Sequence, residues 1–308
     1  MKIFVTGAMG FVGQELLKRL HSAGHSIRIL VRNTESDRVK AVTEKFQVQI
    51  QPGTVFDTDN LDQGVAGMNA IIHLVGIISE IGENTFHNVH TVGTQNMIAA
   101  AQKAGIERFV HMSALGTRPA SHSQYHQSKW LAEEALRQSD LDYTIFRPSL
   151  IFGPHDHFVN LFKQIIRWSP VIPTMANEGV YFQPVAVEEV AEAFARSVLE
   201  PRSIGELYDL CGPERLSFDE ILDAICEVMG RKRIKLRVPL SLSRKLASCL
   251  EYVFPRLLNK APPLNRDQLI MLQEDNVGNP DPANSLFKLS PITFRDGVRK
   301  VMLQSRKP

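Results

Sequence analysis

The glycine-rich segment TGAMGFVG, residues 6–13, constrains the fold of this chain more than any other stretch. It lies between the short apolar segment 2–6 and the amphipathic segment 11–24, so its glycines fall at a strand-to-helix turn. Because glycine has no Cβ atom, such a turn permits close approach of a pyrophosphate, which then faces the free N–H groups of the helix. The glycines that define the predicted dinucleotide site are Gly7, Gly10 and Gly13.

The segments that follow alternate between strand-like and helix-like patterns. Apolar strand segments recur at residues 26–31, 46–51, 70–75, 107–112 and 142–147, with helical stretches between them. This alternation predicts an α/β protein with a doubly wound, parallel Rossmann sheet. After about residue 200 the helix-like segments dominate and prolines punctuate them. We therefore predict a dinucleotide-binding domain over residues 1–200 and a smaller, mainly helical C-terminal lobe over residues 201–308.

The composition of the chain narrows the class of partner and compartment. Its 308 residues are 44% hydrophobic and carry a formal net charge of +2, a balance that does not indicate nucleic-acid binding. The three cysteines, Cys211, Cys226 and Cys249, have no disulfide-like or metal-like spacing, which favours a reducing compartment. We see no leader segment and no apolar run near the roughly 20 residues of a spanning helix. These features predict a cytoplasmic protein and leave a peripheral membrane contact open.

The residue at the end of the second predicted strand bears on the choice of cofactor. Arg32 stands there, nineteen residues beyond Gly13, where a carboxylate would bind the ribose 2′-hydroxyl of NAD. A guanidinium instead favours the 2′-phosphate of NADP, which it can clasp with two hydrogen bonds. With Asn33 as a helper, this position predicts NADP(H) as the preferred cofactor and NAD(H) as the alternative. An exposed strand-end arginine without a ligand is the plainer interpretation.

A possible catalytic group follows the strand at 107–112. Tyr125 and Lys129 are four residues apart and so share one helix face, while Ser113 ends the preceding strand. A nearby ammonium should lower the pKa of a tyrosine from its usual value of about 10, which suits proton transfer near neutral pH. Ser113 would hold the substrate oxygen beside the tyrosine. These residues predict a catalytic triad of Ser113, Tyr125 and Lys129; ordinary helix-surface residues are the alternative.

Taken together, these motifs resemble the short-chain dehydrogenase/reductases in their extended or atypical, epimerase/dehydratase-like branch. TGAMGFVG is similar to that branch's TGxxGxxG, and the triad matches its Ser and YxxxK positions. RPSLIFGP (147–154) resembles its RPxxxxGP segment, whose residues after the arginine flank the nicotinamide. The resemblance implies that Tyr125 and Lys129 also contact the cofactor. The further cofactor contacts that it implies are Met9, Phe11, Val12, Thr54, Val55, Leu74, Gly76, Pro148 and Leu150.

Residues 73–116 and 151–162 have a narrower resemblance, to bacterial relatives of the NAD(P)H-binding accessory subunit of respiratory complex I. That resemblance implies a tightly held NADPH without known turnover, and a link to quinone and membrane biology. Two positions depart from the superfamily pattern. His90 stands where an asparagine is usual, which weakens a proton-relay role there, and Thr54 replaces an aspartate that often contacts adenine while leaving the backbone of Val55 available.

Three functions remain open from the sequence. The first is an NADP(H)-dependent alcohol–carbonyl oxidoreductase acting on an apolar small molecule. The second is an NADPH-loaded accessory or assembly factor of a respiratory or quinone-related complex, without turnover. The third is a nucleotide-sugar epimerase or dehydratase.

Two basic segments and one histidine pair complete the candidates. Residues 231–238 alternate charged and apolar side chains, which predicts a strand with a solvated basic face. Residues 242–258 have leucines on one helix face and cations beside them, which predicts a lid over an apolar cleft or a contact with an anionic membrane. His155 and His157 lack further ligands at a metal-like spacing, so we expect no metal site.

Overall fold

The computed structural model describes residues 1–175, 178–258 and 260–304. Seven parallel strands form one sheet in the order β11-β6-β5-β4-β1-β2-β3. Its strands are β1 (Lys2–Thr6), β2 (Ser26–Val31), β3 (Gln49–Pro52), β4 (Ala70–His73), β5 (Arg108–Met112), β6 (Asp142–Pro148) and β11 (Glu206–Leu210). The strand order reverses between β1 and β4, and the crevice at the carboxyl ends of these strands is where such sheets bind ligands. The predicted doubly wound fold is confirmed.

Helices cover both faces of this sheet and build most of the C-terminal region. They are α1 (Phe11–Ser22), α2 (Asp37–Phe46), α3 (Thr58–Val65), α4 (Gly93–Lys103), α5 (Gln124–Arg137), α6 (Phe158–Trp168), α7 (Val187–Ser197), α8 (Phe218–Val228), α9 (Leu240–Val253), α10 (Arg266–Met271), α11 (Asp281–Phe287) and α12 (Phe294–Gln304). Short π-helical segments, His87–Val92 and Phe254–Leu258, precede α4 and follow α9, and a 3₁₀ turn covers Pro201–Ser203. Short strand pairs join β7 (Ile151–Phe152) to β10 (Val185–Ala186), β9 (Tyr181–Phe182) to β12 (Leu216–Ser217), and β8 (Val171–Thr174) to β13 (Ile234–Arg237).

Three apolar clusters hold these layers together. One joins the sheet to α1 and α7 through residues such as Leu16 and Phe194, and Phe287 of α11 also belongs to it. A second cluster lies on the opposite face of the sheet. A third cluster, which includes Phe162 and Phe294, lies among the helices of the C-terminal region. The third cluster includes residues of α6, which lies before residue 200. In the other direction, β11 lies after residue 200 and forms the edge strand of the sheet. The division of the chain at residue 200 therefore stays a prediction.

Two local predictions are wrong in detail. The strand expected at 46–51 begins only at Gln49, because α2 continues to Phe46, which is buried against the first cluster. The strand β13 was predicted to expose only a basic face, but its apolar side chains are exposed as well. Ile234 and Leu236 are 70% and 57% exposed, while the Lys235 ammonium lies 2.8 Å from the Asp223 carboxylate of α8. The apolar face of β13 is thus an outer face.

Candidate functional site

The glycine turn after β1 has the backbone geometry that a pyrophosphate site needs. Gly7 has a φ of +73°, and a Cβ atom there would lie 2.9 Å from the carbonyl carbon of Leu74. A Cβ atom on Gly13 would lie 2.3 Å from the Gly7 oxygen, so α1 can pack against the turn only with glycine there. Gly10 is the N-cap residue of α1 and provides no side-chain cap, which leaves first-turn N–H groups open to an anion. Met9 and Phe11 are half-buried beside the turn, and Val12 is buried in the core.

Arg32 and Asn33 follow β2 and are both exposed. The Oδ1 atom of Asn33 accepts a hydrogen bond from the backbone N–H of Glu35 at 3.1 Å. Within the part of the chain that the structure describes, the Arg32 guanidinium has no hydrogen-bond or ion-pair partner. It is therefore available to a phosphate, as the sequence predicts, and its role there stays a prediction.

Thr54 and Val55 follow β3, and the structure shows less free backbone there than we expected. The N–H and hydroxyl groups of Thr54 both donate to the Asp57 carboxylate, at 2.7 and 2.9 Å. The carbonyl of Val55 accepts a hydrogen bond from the Asn96 side chain at 2.9 Å. The Val55 carbonyl is thus partly engaged, while its N–H group remains available for an adenine contact.

Lys129 is buried at the centre of the candidate site. Its side chain is 1% exposed, and its Nζ donates to the Met112 carbonyl at 2.8 Å. A Cβ atom on Gly76 would lie 3.3 Å from Lys129 Nζ and 3.4 Å from His90 Nε2, so the loop after β4 passes directly over both. Burial lowers the pKa of Lys129 to about 8, although the nearby Glu133 charge partly opposes this.

Tyr125 lies one helical turn before Lys129, as predicted, but its electrostatic setting differs from the prediction. Its ring packs edge-on against His90, with centroids 5.2 Å apart, and against Phe86 at 5.8 Å. Burial first, and then the Asp267 carboxylate, raise the pKa of Tyr125 to about 12. The expected lowering by Lys129 is wrong for this structure, because desolvation and a carboxylate both favour the neutral phenol. Among the described residues, the Tyr125 hydroxyl has no hydrogen-bond partner.

Ser113 is not directed at Tyr125. Its hydroxyl donates to Glu133 Oε1 at 2.5 Å and lies 3.4 Å from the Thr117 hydroxyl. Glu133 is fully buried on α5 and also accepts two hydrogen bonds from Arg147, at 2.8 and 2.6 Å. A further bond of 2.5 Å comes from Arg137. This arrangement uses Ser113 to anchor α5 to β5, so its catalytic role stays a prediction without geometric support.

His90 connects the loop after β4 to α5. Its Nε2 accepts the backbone N–H of Ile77 at 3.0 Å, so Nδ1 carries the proton that it shares with the Ser128 hydroxyl at 2.8 Å. Burial and the Lys129 charge lower the pKa of His90 to about 2, which keeps the imidazole neutral. His90 lies in a π-helical segment, a distortion that is frequent at functional sites.

The predicted contacts after Arg147 lie at the carboxyl end of β6. The carbonyl of Pro148 accepts the Leu115 N–H at 2.9 Å, which ties β6 to the loop after β5. The N–H of Leu150 donates to Asn276 Oδ1 at 3.2 Å. Both residues thus flank the same edge of the sheet as Lys129.

A cavity of about 540 Å³ lies between the loop after β4, the start of α5 and the C-terminal helices α9 and α10. Phe86, which contacts the Tyr125 ring, and Gln124, which precedes it, form one wall. Arg244 of α9 and Asp267 and Ile270 of α10 also line the cavity. The cavity therefore lies beside the first turn of α5, which carries Tyr125.

Sequence reasoning missed Glu133 and Asp267. Glu133 had a local signal, because a carboxylate four residues after Lys129 falls on the same buried helix face. Asp267 had no such local signal, because it contacts Tyr125 of α5 from 142 residues away along the chain.

Residues 1–175, 178–258 and 260–304 contain no cluster of three or more His, Cys, Asp or Glu side chains placed to hold a metal ion. No helix in these ranges combines the length and apolar character needed to cross a bilayer.

The chain is similar in sequence to a known protein family and to several characterised proteins. A family described as NAD(P)H-binding matches residues 7–156. NADH dehydrogenase (ubiquinone) 1 alpha subcomplex subunit 9 of Arabidopsis thaliana, a mitochondrial protein, is 26% identical over 95% of this chain and 72% of its own length. The ceramide reductase of Caulobacter vibrioides is 32% identical over 77% of this chain and 73% of its own length.

One solved structure shows the same fold around a bound cofactor. It is DesIV, a dTDP-glucose 4,6-dehydratase from Streptomyces venezuelae with NAD bound, at a TM-score of 0.74. The two chains are 19% identical, and the match covers 99% of this chain and 97% of the other. The ceramide reductase relative, together with the family match, shows more than the fold alone: the chain belongs to the NAD(P)H-binding short-chain dehydrogenase/reductase superfamily, and its fold is like that of solved epimerases and dehydratases.

Proposed function

We propose that this chain is an NADP(H)-dependent reductase that interconverts an alcohol and a carbonyl on an apolar or amphiphilic small molecule. The observation that carries the proposal is the pairing of Tyr125 and Lys129. Lys129 is buried under the loop after β4, and the Tyr125 hydroxyl, one turn away, has no hydrogen-bond partner in the described chain. Tyr125 follows Gln124, which lines the cavity, so an unpartnered phenol next to a substrate-sized cavity supports a role in proton transfer.

Each candidate residue has a separate role in the proposed carbonyl reduction. A bound nicotinamide would supply or accept the hydride. Gly7, Gly10 and Gly13 would admit the pyrophosphate to the turn, and Arg32 would bind a 2′-phosphate. Tyr125 in its neutral form would donate a proton to the carbonyl oxygen, and the Lys129 ammonium would stabilise the phenolate that forms. Because its pKa is about 8, Lys129 is charged at neutral pH.

The walls of the cavity support this substrate class. Phe86, Pro255, Pro262 and Ile270 provide apolar surface, while Arg244 and Asp267 provide charge. Such a mixed lining fits a molecule with a polar head and an apolar body. The name of the ceramide reductase relative agrees with a lipid-like carbonyl compound.

A second candidate is an NADPH-loaded accessory factor without turnover. It is favoured by the Ser113 hydroxyl, which is held by Glu133 and does not reach toward Tyr125. The relative in the NADH dehydrogenase complex agrees with this candidate.

Identification of the nucleotide released by denaturing the purified protein separates these functions. A site that exchanges NADP(H) freely supports the reductase. Tightly retained NADPH supports the accessory factor, and tightly retained NAD supports an epimerase or dehydratase that regenerates its cofactor.

We expect Arg32→Ala to weaken NADPH binding by about 1.5–3 kcal/mol, the scale of a hydrogen bond to a charged group. NADH binding should change little, because NADH has no 2′-phosphate. Fluorescence titration of both reduced cofactors measures the difference. Lys45→Ala, which removes a cation from the last turn of helix α2, is the control. Equal wild-type affinity for the two cofactors would show that Arg32 does not read the phosphate.

The exposed side of α9 and of the π-helical segment after it is apolar. Leu242 and Leu246 of α9 are 57% and 47% exposed and lie four residues apart, and Leu257 of the following segment is 76% exposed. Lys245 and Arg256 flank them. Large exposed apolar faces beside cations are typical of helices that lie on anionic membranes. We therefore propose that the chain is cytoplasmic and binds the inner membrane peripherally through this face.

Co-sedimentation with liposomes that contain anionic lipid tests this contact. We expect the wild-type protein to sediment at low salt, where surface electrostatics are strongest. A Leu242→Ser/Leu246→Ser double variant should bind at least about tenfold less tightly, because a buried leucine contributes about 1.5–3 kcal/mol. Leu199→Ser, which changes an exposed leucine outside α9, is the control. A wild-type protein that remains in the supernatant would leave α9 as a lid only.

A further inference from the structure

Asp267 places a carboxylate of the C-terminal region at the N-terminus of α5. Its Oδ1 accepts the backbone N–H of Gln124 at 2.7 Å, and its Oδ2 accepts the backbone N–H of Tyr125 at 3.2 Å. The hydroxyl of Ser123 donates to Oδ2 at 2.7 Å and accepts the N–H of His126 at 3.2 Å. The first N–H groups of α5 are thus satisfied by a residue distant in sequence, and an anion there is favourable for the helix dipole.

Asn265, two residues before Asp267, connects the same segment to the loop after β4. The side-chain amide of Asn265 donates to the Ile78 carbonyl at 2.8 Å and to the Ser79 hydroxyl at 2.7 Å. Asn265 also caps α10 reciprocally with Gln268, which fixes the start of that helix. The start of α10 therefore contacts both the loop after β4 and the helix that carries Tyr125.

We propose that Asp267 is a positioning residue through which the C-terminal region orients Tyr125 and controls its charge. The proposal rests on the proposed function, because it assigns a role in the same proton transfer. While α10 is docked, the carboxylate fixes the first turn of α5 and disfavours the phenolate of Tyr125, whose N–H it binds. Tyr125 then keeps, up to a higher pH, the neutral form that a carbonyl reduction consumes.

The other charged and titratable groups around Tyr125 support this role. His90 and His126 contact the Tyr125 ring, with centroids 5.2 and 5.4 Å away, and burial lowers their pKa values to about 2 and about 4. Both imidazoles are therefore neutral at neutral pH. On α5, the Lys129 ammonium faces Glu133, which pairs with Arg137 and Arg147. Around the cavity, Glu251 pairs with Arg266, Glu274 pairs with Arg118 and Glu80 accepts the Phe86 N–H, while Arg244 is a further cation of the lining.

Carbon-13 NMR of the tyrosine ring measures the charge of Tyr125 without a substrate or a cofactor. The chain has five tyrosines, and Tyr125→Phe assigns the relevant signal. We expect Asp267→Asn to lower the titration midpoint of Tyr125 by roughly one pH unit, the scale of one neighbouring charge. Glu251→Gln, which neutralises another carboxylate of the same cavity without contacting α5, should leave the midpoint unchanged.

Asp267→Ser provides the same test with a shorter, uncharged side chain, whose single oxygen replaces the two that accept the Gln124 and Tyr125 N–H groups. An unchanged midpoint in a folded Asn or Ser variant would overturn the proposal. Unfolding of both variants while Glu251→Gln stays folded would also overturn it, since Asp267 would then act only in stability. These readouts stand even if no carbonyl substrate is found, so they are independent of the proposed function.

Discussion

Tyr125→Phe is expected to lower the turnover of a carbonyl substrate by about 10²–10⁴-fold, the usual contribution of a positioned acid or base. The substitution removes only the hydroxyl. The ring contacts with His90 and Phe86 persist, so the fold and the affinity for NADPH should change little. Steady-state kinetics with a panel of long-chain ketones, together with NADPH titration, measure the two effects separately.

Lys129→Met is the companion variant in this experiment. It removes the buried ammonium and should weaken both NADPH binding and turnover, since the resemblance assigns the lysine to the nicotinamide ribose as well. If Tyr125→Phe reduces the substrate at the wild-type rate, Tyr125 is not the proton donor. If neither variant changes the function of the protein in cells and both still bind NADPH, the accessory role is correct.

Glu133→Ala is expected to destabilise the fold by about 3–5 kcal/mol, the cost of removing one partner from a buried ion pair. Glu133 is fully buried and accepts hydrogen bonds from Arg147, Arg137 and Ser113. Its loss leaves the Arg147 guanidinium, which is 18% exposed, without its bidentate partner. Urea unfolding followed by circular dichroism gives the change in the free energy of unfolding.

The neighbouring residue provides a matched control. Glu134 also pairs with Arg137, at 2.6 Å, but its side chain is 37% exposed. Surface ion pairs of this kind contribute about 0–1 kcal/mol, so Glu134→Ala should cost little. Equal losses for the two variants would show that burial of Glu133 does not set the cost.

The sequence predicts the parts of this structure that depend on local pattern. The glycine turn, the alternation of strands and helices and the shared face of Tyr125 and Lys129 follow from short spacings. The pKa of Tyr125 was predicted with the wrong sign, because the carboxylate and the burial that raise it come from residues distant along the chain. The orientation of Ser113 was missed for the same reason, since Glu133 competes with the substrate for its hydroxyl. The exposed apolar side of β13 follows from its pairing with β8, which an alternating pattern does not specify.

The return of the chain to the sheet after residue 200 limits how the protein can be divided for experiments. A fragment that ends at residue 200 would lack β11, which pairs with β6, and Phe287, whose ring lies 5.4 Å from that of Phe146. Its sheet would end in an unpaired strand beside uncovered aromatic rings, the conditions that promote edge-to-edge aggregation. A minimal nucleotide-binding fragment must therefore keep β11 and α11 and shorten the chain only between them.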